Sequence, residues 1–364
     1  MSNVIYLPLE PYQERYTEFI KDWTVEALEA KFDQVVVIEG DDAQRLRRIS
    51  QGSVLDVFDR TTWCASQVAE VLKLALTSDD VVYVDDMFHP GLEALPYAWA
   101  TRGVRPAVVV RNWAQSVDRH DFTYRLGMRP WMRHYERMVE SFASVVLCGS
   151  TCHADEMRLA GWRARIEVVG LPFRSATVRE IARRTPEPER RFDVVYSSRL
   201  DPEKQPAFMV EVARHLRASG YSLAVCTGSP DIRSSDPRLG RLVAEAEAAG
   251  DLTVLRNCRK AEYYGALSRA SLHLNTSLQD YVSYGVLEAS ALGVPSLCPA
   301  YKSFPEVFGG DPRRLYVPFS AEECAGKALS LLLDPPPLRA VEEPARRHDE
   351  SLARTAEIIA ELRR

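Results

Sequence analysis

Asp280 and Glu288 stand eight residues apart, on either side of the point where a polar loop becomes a helix. Ser271 to Asn275 reads as a short apolar strand, and Thr276 to Ser283 as the loop. Gly285 opens a helix, Gly293 closes it and Pro295 begins the next strand. A helix start leaves its first N–H groups unpaired and attracts anions, and Gly285 lets a ligand approach the backbone closely. A carboxylate one turn further in repels a phosphate but accepts hydrogen bonds from sugar hydroxyls beside it. Phosphate and ribose together mean a nucleotide. Tyr284, Gly285, Val286, Leu287 and Glu288 are therefore candidate nucleotide-binding residues.

Upstream, the strand Asp193 to Ser197 runs into SSRLDPEKQP, which places Arg199 and Lys204 in a strand-to-helix loop. Two cations there can neutralise a diphosphate and stabilise it as a leaving group. Either cation alone would pass for a solvated loop charge. The acidic pair downstream gives them a partner site.

These residues need a scaffold, and the chain supplies one. Short apolar strands at Val4–Leu9, Gln34–Glu39, Val81–Val84, Ala107–Arg111 and Ser144–Cys148 alternate with helical segments. The polar stretch Phe173 to Arg191 breaks the pattern and reads as a linker. The alternation then restarts at Asp193 and ends in helices at Ala321–Leu332 and Ala340–Arg364, with DPPP between. Such alternation predicts parallel sheets with helices on both faces, in two domains, with ligands at the strand C-terminal ends. The expected domains are residues 1–175 and 190–335, followed by a helical tail at 336–364.

The 364 residues are 46% hydrophobic and 27% charged, and the net charge of −5 gives no global attraction to nucleic acid or anionic membrane. Seven cysteines are scattered singly, with no CxxC, which suits a reducing compartment. No apolar run reaches membrane-spanning length, and no signal-like N-terminus is present. The expected location is cytoplasmic.

The run DYVSYGVLEASALGVP resembles the acidic-x7-Glu motif of the retaining, GT-B-fold glycosyltransferases of the family 4 type, usually E-G-F-G-L-x-x-L-E-A-x-A-x-G-x-P. Asp280 replaces the first Glu, and Tyr281 and Val282 replace a Gly and an aromatic. SSRLDPEKQP is similar to the G-R-L-x-x-x-K-G segment of the same family, with Ser198 for its Gly. The resemblance implies a GT-B α/β fold, with two Rossmann-like parallel-sheet domains facing across a cleft and the last helices crossing back to the first domain. It implies transfer of a sugar from a nucleoside-diphosphate sugar to an acceptor hydroxyl, with retention. Arg199, Lys204 and Asp280 would be catalytic, with Asp280 on the transferred sugar and Glu288 on the ribose. Gly228 matches the family's next glycine-bearing loop, and Asn257 to Arg259 the segment that meets the base edge, mostly through its backbone.

The first domain carries fewer signals. PLEPYQERYT, after the first strand, has no glycine where relatives often have a glycine-rich loop. In VVVRNWAQSVDRHDF, Trp113 stands where many relatives have a sugar-binding His. His120 and Asp121 follow as acceptor-side candidates, against the ordinary alternative of an inert loop His. Asp85-Asp86 invites a metal reading, but acidic residues commonly end strands, and the cations and helix start already do a metal's work. No metal or cofactor is expected to be required.

FTYRLGMRPWMRHY presents Arg125, Arg129, Arg133 and His134 among aromatics, with no acid. It fits a polyanionic or nucleic-acid acceptor, or else a solvated helix with Trp131 and Tyr135 packed inward. PLEPYQERYT and HPGLEAL resemble, faintly, phage-encoded transferases associated with DNA base modification, which makes a hydroxylated DNA base one candidate acceptor. Two alternatives stay open: a non-catalytic nucleotide-sugar or nucleic-acid binding module on the same fold, and a nucleotide-sugar epimerase.

Overall fold

Runs of apolar residues fill both faces of two parallel sheets in the computed structural model, which describes residues 3–12, 15–41, 57–185 and 191–363. The elements in chain order begin β1 (Val4–Leu7), α1 (Thr17–Glu29), β2 (Val35–Val37), α2 (Val57–Lys73), β3 (Val81–Val84) and α3 (Ala94–Thr101). There follow β4 (Ala107–Arg111), α4 (Phe122–Arg125), α5 (Arg129–Phe142), β5 (Val145–Cys148), α6 (Thr151–Leu159), β6 (Ile166–Val168) and α7 (Ser175–Arg184). Then come β7 (Val194–Tyr196), α8 (Pro206–Ala218), β8 (Leu223–Cys226), α9 (Pro237–Ala248), β9 (Thr253–Leu255), α10 (Lys260–Leu267) and β10 (Leu272–Leu274). The chain ends with α11 (Tyr284–Ala291), β11 (Ser296–Pro299), α12 (Phe304–Val307), β12 (Leu315–Tyr316), α13 (Ala321–Leu333), α14 (Leu338–Asp349) and α15 (Ser351–Leu362).

The first sheet has the order β2-β1-β3-β4-β5-β6 and the second β12-β11-β10-β7-β8-β9. Every pairing in both is parallel. In the first sheet Ile5, Leu7, Val82, Val84, Val108 and Val110 face one helical layer with Val139 and Met157. Their neighbours Val4, Tyr6, Val81, Tyr83 and Val109 face the other, with Leu28, Ala356 and Ile359. The second sheet repeats the scheme: Val194, Tyr196, Leu223 and Val225 pack with α8, α9 and α13, while Val195 and Ala224 pack with α10 and Ala289 of α11. Successive side chains point to opposite faces, so a strand covered on both sides must be apolar throughout.

The chain divides into two compact units. Among the described residues, one comprises 3–12, 15–41, 57–173 and 350–363; the other comprises 174–185 and 191–349. The expected tail helix at Ala340–Arg364 is two helices. α14 stays with the second unit, its Val341 and Ala345 anchored on α11 by Ser290 Oγ, which donates to Val341 O and accepts from Ala345 N. α15 belongs to the first unit, where Thr355 Oγ1 accepts from Arg111 Nη2.

The expected linker is partly helical. Val178, Ile181 and Ala182 form an apolar stripe within its charged sequence, Val178 is buried, and α7 contacts α10 and α11. The linker's residues 186–190 lie outside the described residues.

Candidate functional site

β7 and β10 are neighbours in the second sheet, so the loops at their C-terminal ends meet. After β7 the chain makes a short 3-10 turn at Pro202–Lys204, and Gln205 enters α8 with φ +53°. The buried Tyr196 hydroxyl ties this loop down by donating to Lys204 O at 3.0 Å. Lys204 Nζ thereby reaches the loop after β10, donating to Asp280 Oδ1 at 2.6 Å and Ser277 Oγ at 3.1 Å. The Lys204 and Asp280 side chains keep 10% and 21% of their exposure, so the pair sits at the surface of the loop cluster with its charges largely withdrawn from water.

Arg199 is placed differently. Its guanidinium donates to Asp201 Oδ2 at 2.6 Å and Glu203 Oε1 at 2.8 Å, two buried carboxylates of its own loop. Asp201 also accepts from Ser235 N at 2.8 Å. Arg199 thus holds the loop that delivers Lys204.

Glu288 lies on α11 and is buried. Its Oε1 accepts from Lys260 Nζ at 2.6 Å and from the Tyr264 hydroxyl at 2.8 Å, both on α10. Ser197, at the end of β7, accepts from the Tyr263 hydroxyl at 3.1 Å and lies 3.2 Å from His273 Nε2 on β10. His273 is fully buried, its Nδ1 lies 3.0 Å from Ser296 Oγ, and burial pushes its pKa down to about 3. The ring is neutral at any physiological pH.

Gly285 is the second residue of α11. A Cβ there would lie 3.0 Å from Ser197 Oγ and 3.3 Å from the His273 ring. Its missing side chain admits these two protein groups under the helix start. Tyr284 is half-buried at the start of α11, while Val286 and Leu287 point into the core. Gly293, at φ +74° beyond α11, does end that helix in the left-handed conformation.

Gly228 is exposed, with 3.7 Å from an added Cβ to Cys258 O, so protein packing does not demand a glycine there. Asn257 is exposed at φ +53° and donates its N–H to Ser229 O at 3.0 Å. Arg259 caps α10 through Glu262, whose carboxylate accepts from Arg259 N at 2.6 Å and Nη2 at 2.8 Å. Lys260, Ser277, Ser197 and His273 escape a sequence reading. Only contacts between segments far apart in the chain connect Lys260 to Glu288, Ser277 to Lys204 and Ser197 to His273.

The acceptor-side candidates all lie in the first unit. Asp121 is buried and caps α4, its Oδ1 accepting from Thr123 N at 2.8 Å and Thr123 Oγ1 at 2.6 Å. His120 is half-buried, and its N–H donates to Asp118 Oδ1 at 2.9 Å. Arg129 is exposed, 5.5 Å from the Tyr124 ring, and Arg133 Nη2 donates to Ala160 O at 3.3 Å. Trp131 and Tyr135 part company: Tyr135 donates its hydroxyl to His89 O at 2.7 Å, whereas Trp131 remains 54% exposed.

Asp85 accepts from the Tyr6 and Tyr83 hydroxyls and from Arg111 Nε, while Asp86 accepts from Arg60 Nη2 at 2.6 Å. Each carboxylate has its own arginine, and no group of three or more metal-ligating side chains occurs among the described residues. Burial raises the Asp86 pKa to about 6, against the lowering effect of Arg60.

Residues 177–348 match the family model described as Glycosyl transferases group 1. That segment covers nearly all of the second unit, including the Lys204–Asp280 and Lys260–Glu288 pairs. Among solved structures, sucrose-phosphate synthase from Thermosynechococcus elongatus has a TM-score of 0.67 at 13% identity, over 99% of this chain and 96% of that one. Anabaena HepE in complex with UDP has a TM-score of 0.65 at 15% identity, over 99% of both chains. A UDP-forming trehalose-phosphate synthase from Burkholderia vietnamiensis has a TM-score of 0.61 at 16% identity, over 100% of this chain and 99% of that one. The fold is GT-B. No curated protein sequence matches the chain. No helix among the described residues is long and apolar enough to cross a membrane.

Proposed function

We propose that the protein is a retaining glycosyltransferase that moves a sugar from a nucleoside-diphosphate sugar to an acceptor hydroxyl. One observation carries this: Lys204 and Asp280 converge at 2.6 Å on the C-terminal edge of a parallel sheet, inside the segment that matches the group 1 transferases. Strand C-terminal edges are where open α/β sheets bind ligands.

In this reading the donor diphosphate draws the Lys204 ammonium onto its oxygens, and the charge that develops as the sugar leaves is stabilised there. Asp280, released from Lys204, accepts hydrogen bonds from the transferred sugar. Arg199 acts mainly by neutralising Asp201 and Glu203, which would otherwise repel the phosphates. Glu288 accepts from the ribose hydroxyls. The departing phosphate takes the acceptor proton, so no separate general base is needed. The cations and the α11 start do the work a metal would do.

For the acceptor, the exposed Arg125, Arg129, Trp131 and His134 of the first unit support a polyanion with flat rings, the class to which a hydroxylated DNA base belongs. The test is incubation with a panel of nucleoside-diphosphate sugars, with and without hydroxymethylated DNA, reading nucleoside diphosphate release and sugar incorporation. Release from at least one donor is expected. Binding without any release would leave a binding module, and transfer to non-nucleic acceptors alone would remove DNA from the reading.

A further inference from the structure

Glu288 carries a second layer that the transferase motif does not include. Its carboxylate is buried on α11 and faces α10, where Lys260 Nζ lies 2.6 Å and the Tyr264 hydroxyl 2.8 Å from the same oxygen, Oε1. Lys260 Nζ also lies 3.0 Å from the Tyr264 hydroxyl and 5.1 Å from the centre of its ring. The three groups close a triangle. The Lys260 and Glu288 side chains retain 12% and 6% of their exposure, so this ion pair is shielded from water.

The backbone explains why Lys260 reaches so far. β9 ends at Leu255, Asn257 turns the chain with φ +53°, and Arg259 caps α10 with Glu262. Lys260 is then the first residue of α10, one turn before Tyr264, so both side chains project from one helix face onto α11.

A buried carboxylate without a cation would be costly, and a carboxylate free to rotate could not aim a lone pair at a ribose hydroxyl. We propose that Lys260, together with Tyr264, is a positioning residue that fixes the Glu288 carboxylate for ribose and so makes the site selective for ribonucleotides. It acts through Glu288 and makes no contact with the reacting atoms. The idea rests on the donor-site reading above, and the experiment separates the two.

UDP, ADP and GDP are titrated into the full-length protein by calorimetry, and the tightest binder is compared with its 2′,3′-dideoxy analogue. The wild type should prefer the ribonucleotide by about tenfold, the scale of a charge-assisted hydrogen bond. Lys260→Met should bring the ratio close to one while leaving the affinity for the dideoxy analogue unchanged. Lys260→Arg, which keeps the charge, should restore most of the preference. Should Lys260→Met fail to fold, Tyr264→Phe carries the same readout, with a reduced ratio expected.

An unchanged ratio in Lys260→Met, or an equal loss for both ligands, overturns the proposal and leaves Lys260 a packing residue. The same holds if the wild type lacks ribose preference. Binding of none of the three diphosphates refutes the donor-site reading itself, and the proposal with it.

Discussion

Lys204 and Asp280 come from loops 76 residues apart and meet with 2.6 Å between ammonium nitrogen and carboxylate oxygen. Each is the other's counter-ion. Under the proposed function, a diphosphate takes the cation and the transferred sugar takes the carboxylate of this charge-balanced pair.

Removing the cation tests this directly. Lys204→Ala should lower turnover by about a hundredfold or more, because stabilisation of the leaving group is lost. Its stability should fall less than that of Arg199→Ala, since the one carboxylate left without its cation, Asp280, is 21% exposed. Arg199→Ala should behave otherwise, losing turnover and about 2 kcal/mol of stability, because it strands the buried Asp201 and Glu203. Steady-state kinetics with chemical denaturation separates the two patterns. Equal stability of the two variants would contradict the scaffolding role of Arg199.

Glu288→Gln keeps the shape and removes the charge. Nucleoside diphosphate affinity should drop by about tenfold in calorimetry, with a smaller effect on turnover at saturating donor. An unchanged titration would remove Glu288 from the ribose.

His273 gives a pH prediction of definite sign. Its pKa falls from 6.5 to about 3 in the folded state because burial disfavours the charged ring. Below 6.5 the unfolded chain takes a proton that the native chain refuses. Its contribution is therefore complete above 6.5 and is lost as pH falls towards 3. The difference in unfolding free energy between wild type and His273→Asn should shrink by about 1.4 kcal/mol per pH unit in that window. A pH-independent difference would mean that His273 titrates normally in the fold.

Much of the scaffold is legible in the sequence, for a physical reason. Val81–Val84 and Ala107–Arg111 are covered on both faces, so nearly every residue is apolar and the strands stand out. α7 is hidden because its buried stripe is narrow and its other face is charged. α6 offers a signal in Ser150, whose side chain accepts from His153 N at its N-cap, but only a three-residue edge strand follows it. At the site, residue types and spacing within each of two segments point to Lys204, and to Asp280 and Glu288. Their partners do not announce themselves. Lys260 reaches Glu288 across 28 residues, and Ser277 reaches Lys204 across 73, through sheet order that no local pattern encodes.

Under the proposed function Lys204 and the α11 start supply the positive potential at the diphosphate, so turnover should persist in excess EDTA. Loss of activity on chelation, recovered with Mg²⁺ or Mn²⁺, would return a metal to the mechanism.

The most direct measurement is nucleoside diphosphate release from a panel of nucleoside-diphosphate sugars, by wild type and Lys204→Ala in parallel. Release by the wild type from at least one donor, with about a hundredfold less or none from the variant, is the expected result. Equal release by both proteins, or none from the wild type with any donor it binds, would contradict the assignment of Lys204 and Asp280 to sugar transfer.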